Sequence, residues 1–537
     1  MYCIIWILGD LLYNGNNNIC LSVFLDMNNM TYRKKFTITL STLLIPIFLV
    51  IVGMVIIDPY FCYHKPIDGI PYTLEEEAYI NAGILKNFDY DSVIIGSSLA
   101  ALMEPSIVDE KLGANTVKAT ISGASTKNGA FLMEYALNNR EICNIFYSLD
   151  YNALLGDKSQ LDRALPQYLY DKNPFNDLQY ILNKDIWIDG VFTLFDKNRK
   201  TPLITNFDEA YGFDKYVQYS RASVISNMPE GFFSDNMDAS FTEYSCADDY
   251  INAISTIEPE LSVIDNISSN IVPIIESNPN VQFYIYMAPM PVLAWYSRIA
   301  EKGEAGINQV CANLYYVFNE LSKYDNCHLG FFYSEDITYD MYRFCDLIHW
   351  DRNVGRSIIN SLVDDKDIVK PDCTADKVYE FYEHIRKTDF SVYNGMKYEC
   401  QNITDFDEYL ETICSDKYIN IVLVNGELPT QFISELKDKG LVSELCNENS
   451  YYYSVVQNGT ITQEKTDNSP FENSFELNDK NVQITTKGYA SEASIMIEDG
   501  EYCPEEEPLD IVVIDRENGN VIDSVGLNIE TGELIQY

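Results

Sequence analysis

The chain contains only four histidines, His64, His328, His349 and His384, among 537 residues. A serine that attacks a carbonyl at neutral pH commonly needs an imidazole to take its proton, so these four bound the options for nucleophilic catalysis. His349 lies in "RFCDLIHWDRN", three residues after Asp346. In a turn or a first helical turn, residues at i and i+3 share a face. The Asp346 carboxylate can then accept from one ring nitrogen, fix the tautomer, and leave the other nitrogen to receive a serine proton. The candidate serine is in "DSVIIGSSLAALMEPS", residues 91–106, where the apolar run Val93–Ile95 ends in Gly96, Ser97 and Ser98. Capping a helix is the commoner task for a serine after a strand, and Asp-x-x-His alone also reads as a helix entry with an incidental histidine. Of the other histidines, His64 falls in a membrane-proximal linker, His328 opens the strand "CHLGFFY", and His384 falls in a helix of a second domain. The 13 cysteines are scattered without a CxxC pair. Neither a metal-ligand spacing nor a disulfide scaffold is indicated, and no cofactor is implied.

The elements around these residues alternate. "DSVIIGS" reads as a buried strand and "PSIVDEKLG" as a helix stopped by Gly113. "NTVKATI" is a strand, "STKNGAFLMEYALNNR" a helix with Ser125 as N-cap, and "ICNIFYSLD" a third strand. Strand-helix-strand at this spacing implies parallel pairing with right-handed crossovers. Residues 152–245 interrupt the rhythm and read as an insertion over the sheet, a lid or a substrate platform. A long helix over 247–277, the strand "VQFYIYMAP", the helix "INQVCANLYYVFNELSKY", the strand "CHLGFFY" and the helix "DRNVGRSIINSLVDD" complete an α/β domain spanning 88–365. In a parallel sheet, functional residues gather beyond the carboxyl ends of the strands, and Ser98 and His349 both fall there. "MAPMPVLAWY" follows one of these strands, and Pro289, Pro291 and Trp295 read either as a wall at that end or as a structural turn. Residues 366–537 are richer in β pattern, with "ENGN" and "ETGE" as turn signals, and form a separate α+β domain.

Ahead of the α/β domain, "FTITLSTLLIPIFLVIVGMVII", residues 36–57, carries no charge. At 1.5 Å per residue it reaches about 33 Å, enough for a bilayer core. "YRKK" precedes it and Asp58 follows it, so the first 35 residues are expected in the cytoplasm and 58–537 outside, with 58–87 as a linker. A cleaved signal peptide is the other reading, but the run is long for an h-region and no A-x-A site follows. Met27 or Met30 offers an alternative start. Acidic residues outnumber basic ones by 81 to 37, a net charge of −44. That balance argues against a nucleic-acid partner, because phosphate binding needs a basic footprint.

The order of these motifs resembles the SGNH (GDSL-like) hydrolase superfamily, whose blocks are Gly-Asp-Ser after the first strand and Asp-x-x-His after the last. "GSSLA" matches with Ser97 in the aspartate position and Ser98 in the nucleophile position. "TISGAST" resembles the second block and maps its oxyanion glycine to Gly123. "DLIHW" supplies Asp346 and His349. The third block, Gly-x-Asn-Asp, is missing: the strand end reads "YSLDYNA", leaving Asp150 or Asn152 as the remaining oxyanion or substrate group. The resemblance implies an SGNH or flavodoxin-like parallel sheet with helices on both faces. It further implies a serine esterase or O-acyltransferase, with Ser98 attacking, His349 as base, and Asp346 orienting it. Gly-Ser-Ser behind a membrane anchor is similar to the envelope O-acylation proteins of teichoic acid D-alanylation and alginate O-acetylation. That likeness implies bacterial cell-envelope polysaccharide or its acyl ester as substrate, and a membrane-bound O-acyltransferase as partner. The departures at Ser97 and in the third block keep a second reading open, a non-catalytic surface or assembly protein of the same fold. The segment from "ITTKGYASEASIMIEDGEY" to "IETG" resembles interleukin-like EMT inducer domains in permuted order, which implies a glycan-binding or interaction module.

Overall fold

The computed structural model describes residues 31–537 except 71, 73, 75, 162–164, 196–205, 212–218, 220–223, 225–240, 391–402, 479, 489–492, 499, 504–506, 517, 518, 520 and 537. The chain divides into two compact units, one joining the chain up to Thr73 with Gln167–Leu203 and the other joining Leu74–Pro166 with Ile204–Tyr537.

The larger unit is built on five parallel strands: β1 Ser92–Gly96, β2 Thr116–Thr120, β3 Asn144–Ser148, β4 Gln282–Met287 and β5 Cys327–Phe331. Their order is β2-β1-β3-β4-β5, with Ile95 opposite both Ala119 and Tyr147. Strands covered on both faces read as largely apolar runs, and β1 is buried along its whole length. The helices Pro105–Leu112, ended by Gly113 at φ +63°, and Thr126–Asn139, opened by Ser125 in a capping box, follow the sequence signals.

Three stretches differ from expectation. The long helix expected over 247–277 is broken into Ala247–Ile254, Leu261–Asn266, a π-turn Ile267–Ile271, and Val272–Ser277. Pro259 explains the main break, since the residue before a proline is pushed out of helical geometry. The expected linker 58–87 contains the helix Glu77–Asn87, whose Ile80, Ile84 and Leu85 are buried. Asn81 of this helix donates to the Thr120 carbonyl at the end of β2 (2.8 Å). Beyond residue 365, the helix Thr374–Lys387 packs with the first domain: Phe381 meets Trp295 and Phe331, and Tyr382 stacks on Tyr250. His384 therefore belongs to that layer. Its Nε2 lies 2.6 Å from Thr338 Oγ1, whose hydroxyl donates to the Glu335 carbonyl, so the ring is the donor.

The C-terminal part continues with helix Phe406–Ile413, β6 Tyr418–Asn425 and helix Thr430–Asp438. Then come β7 Tyr451–Gln457, β8 Thr460–Asp467, β9 Glu472–Leu477, β10 Lys480–Thr485, β11 Ser494–Ile497, β12 Gly500–Glu501, β13 Leu509–Asp515, β14 Val521–Leu527 and β15 Leu534–Gln536. The strands form a six-stranded sheet of order β15-β14-β13-β6-β7-β8 and a four-stranded antiparallel sheet β12-β11-β10-β9. Val422, Val424, Ile511 and Val513 fill the core between the six-stranded sheet and its helices. The "ETGE" turn carries Gly532 at φ +74°, whereas most of "ENGN" lies outside the described residues.

The smaller unit contains the helix Tyr32–Ile57, whose Thr39–Ile57 portion is long and apolar enough to cross a membrane. Its C-terminal end is tied off by the following loop. Asp58, at φ 41°, accepts from the amides of Cys62 (2.9 Å), Tyr63 (2.7 Å) and His64 (3.0 Å). His64 Nε2 in turn reaches the Val55 carbonyl (2.9 Å), and Tyr72 donates to the Ile57 carbonyl (2.9 Å). These bonds occupy carbonyls that a helix end would otherwise leave unpaired. Gln167–Leu203 of the expected insertion groups with this anchor segment rather than with the sheet. Most of 212–240 lies outside the described residues.

Candidate active site

β1 delivers Gly96, and the chain turns at once into a short 3-10 helix, Ser98–Ala100. A Cβ at Gly96 would come within 2.7 Å of Ser148 Cβ and 2.8 Å of Ala100 Cβ, so only glycine lets β1 turn this tightly beside β3. The two serines then take different tasks. Ser97 Oγ accepts from the Leu99 amide (3.2 Å) and donates to Asp150 Oδ2. Ser98 Oγ lies 2.7 Å from His349 Nε2.

His349 arrives from the far side of the sheet. It sits in a turn whose ends are pinned by the Phe344–Trp350 bridge and by the Cys345 amide donating to the His349 carbonyl (3.0 Å). Asp346 Oδ1 accepts from the amides of Ile348 (2.8 Å) and His349 (2.7 Å), and Asp346 Oδ2 accepts from His349 Nδ1–H (2.6 Å). The proton on Nδ1 leaves Nε2 as the acceptor facing Ser98, the tautomer that general-base work requires. Burial would raise the Asp346 carboxyl, but the His349 hydrogen bond and charge and the two amides outweigh it and hold it below the usual carboxylate range.

A cavity of about 240 Å³ opens beside Ser98, with Gly123, Ala124, Asn152, Ala288, Met290 and Ile348 in its wall. Gly123 has φ +66° and open space where a Cβ would stand. Ser98 and Gly123 both line this cavity. Asp150 and Asn152, grouped by sequence reasoning, separate here. Asp150 accepts from Ser97 and from Ser148 Oγ (2.6 Å), and burial pushes its carboxyl up against the opposing effects of Ser148, Ser97 and His349. It braces the serine turn from within the cavity wall. Asn152 is exposed in the cavity wall at the start of helix Tyr151–Leu154. Of the "MAPMPVLAWY" wall, Ala288 and Met290 face the cavity. Trp295 is instead buried among Tyr151, Tyr333 and Phe381, a structural role.

Four further residues hold the arrangement, Lys118, Glu104, Arg352 and Arg356, and no motif announced them. Lys118 is fully buried in β2, and its Nζ donates to the carbonyls of Ala101 (2.5 Å) and Met103 (2.8 Å), fixing the turn that follows Ser98. Glu104, on the same turn, takes Arg356 (2.5 and 3.0 Å) and Arg352 (3.4 Å) from helix Arg352–Val363, which begins directly after the His349 turn. The clasp spans the two segments that must meet for Ser98 to reach His349. A buried lysine on a strand and an acid far from its basic partners leave no periodic signal in sequence.

The turn also brings together Cys345, Asp346 and His349 with their donor atoms within 4.8 Å of one another, a grouping that ligand spacing did not suggest. The donor set fits a metal poorly. Burial pushes the Cys345 thiol up to about 12, away from the thiolate a metal takes. The Asp346 oxygens are committed to two amides and to the ring.

No family model matches the chain, and no curated protein matches it.

Proposed function

We propose that the chain is an SGNH-like serine ester hydrolase or O-acyltransferase held at a membrane. The observation that carries this reading is the continuous relay Ser98 Oγ–His349 Nε2 (2.7 Å) and His349 Nδ1–Asp346 Oδ2 (2.6 Å). The strand order β2-β1-β3-β4-β5, shared with flavodoxin-like folds, supports it, because the serine, Gly123 and histidine turns all lie beyond carboxyl ends of strands.

Ser98 Oγ attacks the ester carbonyl as His349 Nε2 takes its proton. The Ser98 and Gly123 amides receive the oxyanion, a contribution of about 3 to 4 kcal/mol per donor in comparable sites. As the tetrahedral adduct collapses, His349 returns the proton to the departing alkoxide and the acyl group stays on Ser98. His349 then deprotonates water or a glycan hydroxyl, which attacks the acyl-serine and releases acid or a new ester. Asp346 stabilises the imidazolium in both halves. The cavity of about 240 Å³ lies below the usual range for drug-sized ligands and suits a short acyl group. Acylated cell-envelope polysaccharide is the substrate class we infer, with a membrane-bound O-acyltransferase as donor-side partner. The C-terminal β-rich part would then act as a glycan-contacting module.

The test is turnover of p-nitrophenyl acetate by the full chain in detergent micelles. Hydrolysis that disappears in Ser98→Ala supports the reading. A folded wild type with no turnover and no acyl-enzyme by mass would point to the non-catalytic alternative.

A further inference from the structure

We propose that the helical run Ile186–Phe195, together with Phe175, Leu178 and Leu182 before it, forms an apolar collar that seats in lipid at the C-terminal end of the anchor helix. The proposal rests on reading Thr39–Ile57 as a membrane span. The run comprises a π-helical stretch, Ile186–Phe192, continued by Thr193–Phe195. Its Ile186, Gly190, Val191 and Leu194 are buried within the unit. On the other side, Ile188, Phe192 and Phe195 follow the i, i+4, i+7 spacing of one stripe, yet they are 39%, 51% and 54% exposed. Asp189 is exposed beside them, so the outer surface of the run is apolar apart from one carboxylate, and it is only half enclosed. Phe175, at 83% exposed, and Leu178 and Leu182, at 43% and 52%, add to the uncovered surface.

The position of the run relative to the anchor identifies the occupant. A Cβ at Gly53 would touch the Trp187 indole at 3.5 Å. Gly53 lies four residues inside Ile57, about 6 Å back along the helix. A Cβ at Gly190 would meet Pro59 and Tyr60 at 3.1 Å, so the run lies along the last turn of the anchor and the first residues beyond it. That level is the boundary between hydrocarbon and headgroups, where tryptophan is enriched and where interfacial helices bury an apolar face by about 5–10 Å. The Trp187 indole N–H is already satisfied by the Ile181 carbonyl (2.8 Å), so the ring can enter lipid without stranding a donor. With a net charge of −44, electrostatic attraction to an anionic surface is not available to the chain, and the seating is hydrophobic.

The experiment uses the full chain carrying p-benzoylphenylalanine in place of Phe48, Phe192, Phe195 or Leu445, reconstituted in phosphatidylcholine vesicles and irradiated. Phe48 is an exposed position within the span, and Leu445 is an exposed apolar residue of the C-terminal sheet unit. The proposal expects phospholipid adducts at Phe192 and Phe195 in yields comparable with Phe48, and none above background at Leu445. Adducts at Phe48, with Phe192 and Phe195 no different from Leu445, would overturn the collar and leave the span intact. No adduct at Phe48 would refute the span and the collar with it. In cells, cross-links from Phe192 and Phe195 to a polypeptide in place of lipid would also overturn the proposal, in favour of a membrane-protein partner.

Discussion

Asp346→Asn separates the orienting role of Asp346 from its structural one. In the wild type, Oδ1 holds the amides of Ile348 and His349, and Oδ2 takes the proton of His349 Nδ1. An asparagine fills the same volume. Its carbonyl oxygen serves the two amides, which leaves its NH2 facing Nδ1. Two donors cannot share that contact, so the ring shifts its proton to Nε2 and meets Ser98 as a donor. The serine then has no base. Substitutions of this kind in serine triads cost about ten-thousand-fold in kcat. We expect a loss of about a thousand- to ten-thousand-fold, equivalent to about 4 to 5.5 kcal/mol of transition-state stabilisation. The turn keeps its amide acceptor, so the melting temperature should stay within a few degrees of wild type. Initial rates with p-nitrophenyl acetate, read beside a thermal melt, measure both. Turnover by the Asp346→Asn protein within about tenfold of wild type would refute the proposed relay, because the wrong tautomer alone should cost far more than that.

Ser97→Ala removes the acceptor for the Leu99 amide and one partner of Asp150, which should cost about 1 kcal/mol in stability. It should lower turnover without abolishing it; complete loss would show that Ser97 does more than cap and brace. Gly96→Ala drives a Cβ against Ser148 and Ala100. We expect about 1–3 kcal/mol of destabilisation by overpacking, seen as a lower denaturation midpoint. At His384, burial lowers the ring from 6.5 to about 4 against the opposing pull of Asp336. Above pH 6.5 the ring is neutral folded and unfolded. As the pH falls from there towards 4, only the unfolded chain takes up the proton, so stability falls by up to about 3 kcal/mol. Denaturant melts across that window should show the fall, and His384→Gln should flatten it.

The parts of this protein that could be read in sequence are those encoded locally. Val93–Ile95 ending at Gly96, the Ser125 cap and the Gly113 stop each carry a signal within a few residues, and the structure places strand and helices there. The pairing of Ser98 with His349 was reachable because histidines are scarce and Asp346 stands at i−3 in a turn. What stayed hidden depends on contacts between distant strand ends. That the Asp150 carboxylate pairs with Ser97 depends on the β1 and β3 ends coming together. Lys118 carries no local signal of its role, which follows from β2 placing its ammonium under the serine turn. The helix Thr374–Lys387 falls after an expected boundary, and its place in the first domain follows only from Phe381 and Tyr382 meeting Trp295, Phe331 and Tyr250. The break before Leu261 has a local sign in Pro259, which the expectation of one long helix over 247–277 does not use.

The most direct measurement is adduct mapping after treatment of the full chain with a fluorophosphonate. The account predicts a single phosphonylated peptide carrying Ser98, lost in Ser98→Ala and His349→Ala and retained in Ser97→Ala. A folded wild type that takes no label, or a label that survives Ser98→Ala, would contradict it.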